Sequence, residues 1–138
     1  MFEHILESNN FCLRLCMNVF DSDIEYPINT NMTVFVTSNG FSAKTNMDID
    51  IKAFAEFTDK LNKVYDTLSG EAMIKEPYGY QRYISFLADK KGYIIVKGYL
   101  CDDMKNNELR FENCFDQTFL KPFSNELRSV YLQYRQQK

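Results

Sequence analysis

Apolar and polar residues alternate with period two through the first fifty residues and then switch to a period near 3.6, which predicts strands followed by a helix. Phe11, Leu13, Leu15, Met17 and Val19 interleave with Cys12, Arg14, Cys16 and Asn18, the pattern of a half-buried strand, and residues 2–7 read as a shorter strand before it. Residues 21–30 are polar and acidic, contain Pro27 and show no period, so they read as a loop. Thr33–Thr37 and Phe41–Met47 flank Ser38-Asn-Gly40, where Asn-Gly supplies the positive φ angles of a type I′ turn. This is the clearest hairpin in the chain.

From Ile51 onward Phe54, Phe57, Leu61, Val64, Tyr65 and Leu68 fall on one helical face. Asp48 or Asp50 is placed to cap that helix, and Gly70 to take the left-handed position after it. Strand patterns resume at 71–76, 80–88, 92–101 and 107–115, separated by turn-forming segments that begin at Pro77, Asp89 and Asp102. A second helix starts near Thr118 to Pro122 and carries Phe123, Leu127, Val130, Tyr131 and Tyr134 as its stripe. The predicted class is α+β: a largely antiparallel sheet of about eight strands with two helices, near 51–68 and 120–135, packed on one face. The helices echo each other, with Phe, Leu, Val and Tyr at 57, 61, 64 and 65 matching 123, 127, 130 and 131. Each follows about four strands. Either a duplicated unit of four strands and a helix or convergence of two amphipathic helices accounts for the match.

At 138 residues the chain suits a single domain, 1–138, and surface scaling predicts about 7,500 Å² exposed after folding. No apolar run approaches the ~18 residues that a membrane-crossing helix needs. The N-terminus has no basic segment leading into an apolar one, so a cytoplasmic protein is expected. Cys12 and Cys16 sit four apart in one strand, about 13 Å, too far to bridge each other; pairing with Cys101 or Cys114 stays geometrically open. The spacing lacks the paired ligands of a zinc site, so reduced, metal-free thiols are expected. The net charge of −3 is uneven: residues 1–50 hold seven acids against two bases, a net of −5. That segment disfavours direct contact with nucleic acid and suits a basic protein partner.

Motifs for chemistry are missing. The only histidine, His4, lies near an end expected to fray and to leave it solvated. No phosphate-binding loop, dinucleotide fingerprint or nucleophile elbow occurs. Acids cluster at Asp102-Asp103 and across Asp21, Asp23 and Glu25, yet acids on turns are ordinarily solvated charges. The expectation is a protein that is not an enzyme, with no cofactor and no metal. Two features suit recognition instead. Tyr78, Tyr80 and Arg82 gather at a strand entrance, and tyrosine and arginine dominate interface hot spots; tyrosines alternating into a core beside a turn explain them equally well. The other is the acidic loop bearing Asp21, Asp23 and Glu25, longer than most connections.

The order of motifs resembles the WapI-like immunity family over about residues 31–135. Asn39-Gly-Phe-Ser-Ala43, Leu68-Ser-Gly-Glu-Ala72, Pro77-Tyr-Gly-Tyr80, Gly92-Tyr-Ile-Ile-Val-Lys-Gly98 and Phe115-Asp-Gln-Thr-Phe-Leu120 carry the resemblance. Asn29-Thr-Asn-Met-Thr33 has no tryptophan where the family pattern carries one. The resemblance implies a cytoplasmic antidote that binds the C-terminal nuclease domain of a wall-associated, contact-dependent toxin, and it offers no catalytic residues. An immunity-type protein that binds a basic toxin domain is therefore the leading expectation. A stand-alone interaction or small-ligand-binding module is the alternative.

Overall fold

The computed structural model describes residues 2–135. Four strands, β1 (Phe2–Glu7), β2 (Phe11–Val19), β3 (Thr30–Ser38) and β4 (Phe41–Ile49), lead into helix α1 (Ile51–Thr67). Four more, β5 (Glu71–Lys75), β6 (Tyr83–Ala88), β7 (Tyr93–Cys101) and β8 (Glu108–Asp116), lead into helix α2 (Leu120–Tyr131). All neighbouring strands pair antiparallel in chain order. The protein is α+β with eight strands and two helices, and the four-strand-plus-helix topology occurs twice.

The strands form two sheets of four, β1-β2-β3-β4 and β5-β6-β7-β8, in place of the one sheet expected. Breadth explains the division. Eight strands about 4.8 Å apart would span roughly 34 Å, whereas two helices, each about 10 Å across, cover little more than half of that. Two smaller sheets bury their inner faces against the helices and against each other. Helix α1 packs on α2 and lies along β5 and β6 of the second sheet, while α2 reaches β1 of the first. Phe86 of β6 sits between the two stripes, its ring centroid 6.1 Å from Phe57 and 6.4 Å from Phe123. Phe57, Leu61, Phe123, Leu127 and Tyr131 are all buried, and Tyr65 packs partly buried at the edge. The exposed surface, 7964 Å², is close to that expected from length.

Local details follow from residue chemistry. The β3–β4 hairpin turns at Asn39 and Gly40, with φ of 49° and 89°, the left-handed pair that Asn-Gly favours. Asp50 caps α1, its Oδ1 accepting the Lys52 N–H at 3.0 Å. At the other end Leu68, with φ of 52°, takes the left-handed capping position before Gly70 does, because its N–H closes the last helical bond to the Val64 carbonyl. Strand β6 begins at Tyr83, three residues later than expected, since residues 76–82 form a separate closed loop.

His4 corrects an expectation: it is buried, 2% exposed, within β1. Pairing with β2 holds the strand in place, and the imidazole meets the Tyr131 hydroxyl at 2.7 Å through Nε2 and Glu126 at 3.0 Å through Nδ1. The cysteines are all free thiols, with Cys101 buried, Cys12 and Cys16 half-buried and Cys114 exposed. Among the described residues no helix is long and apolar enough to cross a membrane.

Candidate partner-binding surface

The acidic loop is an ordered structure. Asp21–Asp23 form a single 3-10 turn, and the loop closes where the Phe20 N–H meets the Asn29 carbonyl at 2.8 Å. Asn29, fully buried, is its hub. Its Nδ2 donates to the carbonyls of Ile24 and Tyr26, both at 3.1 Å, and to Asp50 Oδ1 at 2.9 Å. Its Oδ1 accepts the Ile51 N–H at 2.8 Å and the Thr30 hydroxyl at 2.9 Å. The asparagine thus ties the loop to the first turn of α1. Asp21, Asp23 and Glu25 all stay exposed, and among the described residues only Glu25 has a cationic partner, Lys52 at 3.3 Å. Around them stand Phe20, 42% exposed, and Tyr26, 63% exposed, apolar surface beside uncompensated negative charge. Asp21 also acts on Tyr134: burial and then the Asp21 charge push that phenol above its ordinary range.

The Tyr78, Tyr80 and Arg82 cluster divides. Tyr78 is 67% exposed on the turn at Gly79, Tyr80 is half-buried, and Arg82 is 2% exposed. Arg82 therefore cannot serve as a surface anchor. Its Nε and Nη2 donate to Glu76 at 2.7 and 3.2 Å, and its Nη1 donates to Thr45 Oγ1 at 2.7 Å and the Cys101 carbonyl at 3.0 Å. Burial works against the guanidinium charge, but the hydrogen bonds and charge of Glu76 prevail and raise its pKa. Its role is to close the 76–82 loop and hold Tyr80, whose ring centroid lies 4.3 Å from the guanidinium carbon.

The two segments meet on one short stretch of chain. Glu76 Oε2 accepts the Asp48 N–H at 3.0 Å, and Asp50, two residues later, holds Asn29. Both loops are anchored where β4 enters α1, and Asp48 adds an exposed carboxylate there. Glu76 and Asn29, the buried residues that make this arrangement, were not distinguished by the sequence pattern. Glu76 is a polar side chain where the inward parity of Ala72 and Ile74 would place an apolar one, whereas Asn29 has the outward parity of β3 and carries no such sign. No group of three or more potential metal ligands occurs among the described residues.

Residues 7–135 match the Immunity protein WapI-like family. No curated protein matches. Among solved structures, one titled "Crystal structures of trypanosoma bruciei MRP1/MRP2" is similar over 96% of this chain and 81% of that one, with 11% identity and a TM-score of 0.48.

Proposed function

The chain belongs to the WapI-like immunity protein family, and on that premise we propose that it neutralises a toxin by stoichiometric binding to a basic C-terminal nuclease domain. The observation that carries this reading is the acidic loop: Asp21, Asp23 and Glu25 are exposed on a loop hydrogen-bonded to a buried asparagine, beside exposed Phe20 and Tyr26. Exposed charges of one sign accelerate encounter with an oppositely charged partner, and aromatic contacts slow dissociation. Tyr78 and Tyr80, on the second loop anchored at the same strand end, extend the surface. Arg82 supports it from within. In this reading the protein works inside the cytoplasm and performs no chemistry.

The test is association with the C-terminal domain of the toxin encoded beside this gene, measured across a salt series. The triple variant Asp21→Lys, Asp23→Lys and Glu25→Lys should slow association about tenfold or more at low salt, with the thermal midpoint nearly unchanged. An association rate insensitive to both salt and charge reversal removes the electrostatic mechanism. Full toxin activity at excess protein removes the neutralising role.

A further inference from the structure

The outer face of the second sheet carries a row of side chains unrelated to the acidic loop. Lys75 pairs with Tyr83, Tyr83 with Tyr99, and Tyr99 with Arg110, so strand register places the four in line across β5, β6, β7 and β8. Residues directly opposite on paired strands share a face. The row therefore reads cation, ring, ring, cation over three strand spacings, about 14 Å. Tyr80 and Gln81 reach it from the 76–82 loop and Lys105 from the β7–β8 turn, lining an open surface pocket of about 280 Å³. None of Lys75, Lys105 and Arg110 forms a salt bridge among the described residues. The nearby carboxylate of Glu108 is engaged by the Tyr99 hydroxyl at 2.9 Å.

Backbone conformation marks the same place. Among the described residues four other than glycine have positive φ; Asn39 and Leu68 serve a turn and a cap, and the other two are Gln81 at 63° and Lys105 at 57°. A left-handed lysine or glutamine is costly and persists where its surroundings hold it. Lys105 is held by its turn, with its N–H on the Asp102 carbonyl at 3.0 Å and the Asp102 carboxylate taking the Asn106 and Asn107 N–H groups. The first sheet provides the contrast. Arg14, Phe35 and Lys44 form a similar row there, but Arg14 is paired with Glu3 at 3.9 Å.

We infer that this pocket binds a small ligand in which an anionic group is carried on a flat heterocycle, of the nucleoside monophosphate class. Lys75, Lys105 and Arg110 supply the anion site, Arg110 lying 4.5 Å over the buried Tyr99 ring; the half-buried Tyr83 supplies a ring face, and the Gln81 amide, donor and acceptor together, suits the edge of a base. The row is longer than a phosphate needs and accommodates phosphate and ring together. The acidic loop, which carries the proposed neutralising role, takes no part in this site, and Tyr80 is the one residue shared with that proposed surface.

The experiment is an NMR titration of the full chain at low salt with adenosine monophosphate, adenosine, inorganic phosphate and O-phosphotyrosine as separate probes. Adenosine monophosphate should shift the amides of residues 80–83, 99, 105 and 110 saturably, and adenosine and inorganic phosphate should each bind at least about tenfold more weakly. Arg110→Ala, on an exposed strand position, should weaken binding about tenfold. Lys105→Gly removes a charge but suits φ of 57°, so it should weaken binding about fivefold while keeping or raising the thermal midpoint. The inference is overturned by no saturable shift up to about 10 mM, by shifts that map elsewhere, by variants that bind as well as the parent, or by phosphate or O-phosphotyrosine binding as tightly as the nucleotide.

Discussion

Arg82 and Glu76, six residues apart at the two ends of one loop, form a salt bridge with a 2.7 Å Nε to Oε1 contact and both side chains only 2% exposed. The pair lies between the sheets. It closes the loop through the Glu76 N–H to Arg82 carbonyl bond, and it binds β4 through Thr45 and the Asp48 N–H and β7 through the Cys101 carbonyl. A buried ion pair is weak evidence for stability in itself, because desolvation offsets the attraction. Its value here is register: six hydrogen bonds are met only when the sheets and the loop stand in one arrangement.

Breaking this pair from one side should be severe. Glu76→Ala removes the buried, hydrogen-bonded counter-charge of Arg82 and leaves the guanidinium the exposed Asp103 carboxylate at 3.5 Å, so it should cost about 3 kcal/mol. The double variant Glu76→Met and Arg82→Met should lose less than either single replacement, because no charge is stranded. Urea unfolding of the three variants reads the order directly, and additive losses would contradict it.

The helix interface offers a pair of opposite effects. Leu61 and Leu127 are both fully buried, and replacing either by alanine should cost about 2–5 kcal/mol through the cavity left behind. Ser124, beside them on α2, has a buried hydroxyl with no hydrogen-bond partner among the described residues. Ser124→Ala removes an unsatisfied group and should raise stability by about 1 kcal/mol. The Ser124 carbonyl, which accepts from Asn62 Nδ2 at 3.1 Å, is unaffected by the change. Thermal or urea melts separate the two signs.

Gly98 should not tolerate a side chain. A Cβ there would overlap the ring of Phe111, its partner across β7 and β8, and come within 2.9 Å of the Tyr83 carbonyl oxygen. Phe111 cannot swing away freely, since its ring centroid packs 5.9 Å from Phe11 of the first sheet. Gly98→Ala should therefore cost about 1–3 kcal/mol by overpacking, visible as a shifted denaturation midpoint.

Alkaline stability should depend on Tyr99. Its hydrogen bond to Glu108, together with burial, pushes the phenol up to about 12 from an ordinary 10. The native state thus keeps a proton that the unfolded chain releases, so this contribution is complete below pH 10 and is lost as pH rises toward about 12. Tyr99→Phe should flatten the stability profile in that window. Absorbance at the tyrosinate band, followed with stability in both proteins, checks the assignment.

Much of the architecture is written locally. Alternation of Phe11, Leu13, Leu15 and Met17, the Asn39-Gly40 turn and the stripe from Phe54 to Val64 each specify an element from contacts within a few residues, and those elements are present. The acidic loop was legible for the same reason, since charge and the lack of a period are properties of the segment itself. Tyr99 and Arg110, by contrast, stood out in no window, because they become neighbours only through the pairing of β7 with β8.

The sequence by itself determined eight strands, two amphipathic helices, their order and an exposed acidic segment, because period and turn chemistry act over short distances. Tertiary structure alone decided that the strands divide into two sheets, that His4 is buried against Tyr131 across 127 residues, and that Arg82 turns inward to Glu76 while Tyr78 stays outside. An arginine beside a turn is equally at home in water or in a satisfied buried pair. Which state it takes depends on whether Glu76, Thr45 and the Cys101 carbonyl are brought around it, and only the packing of the two sheets does that.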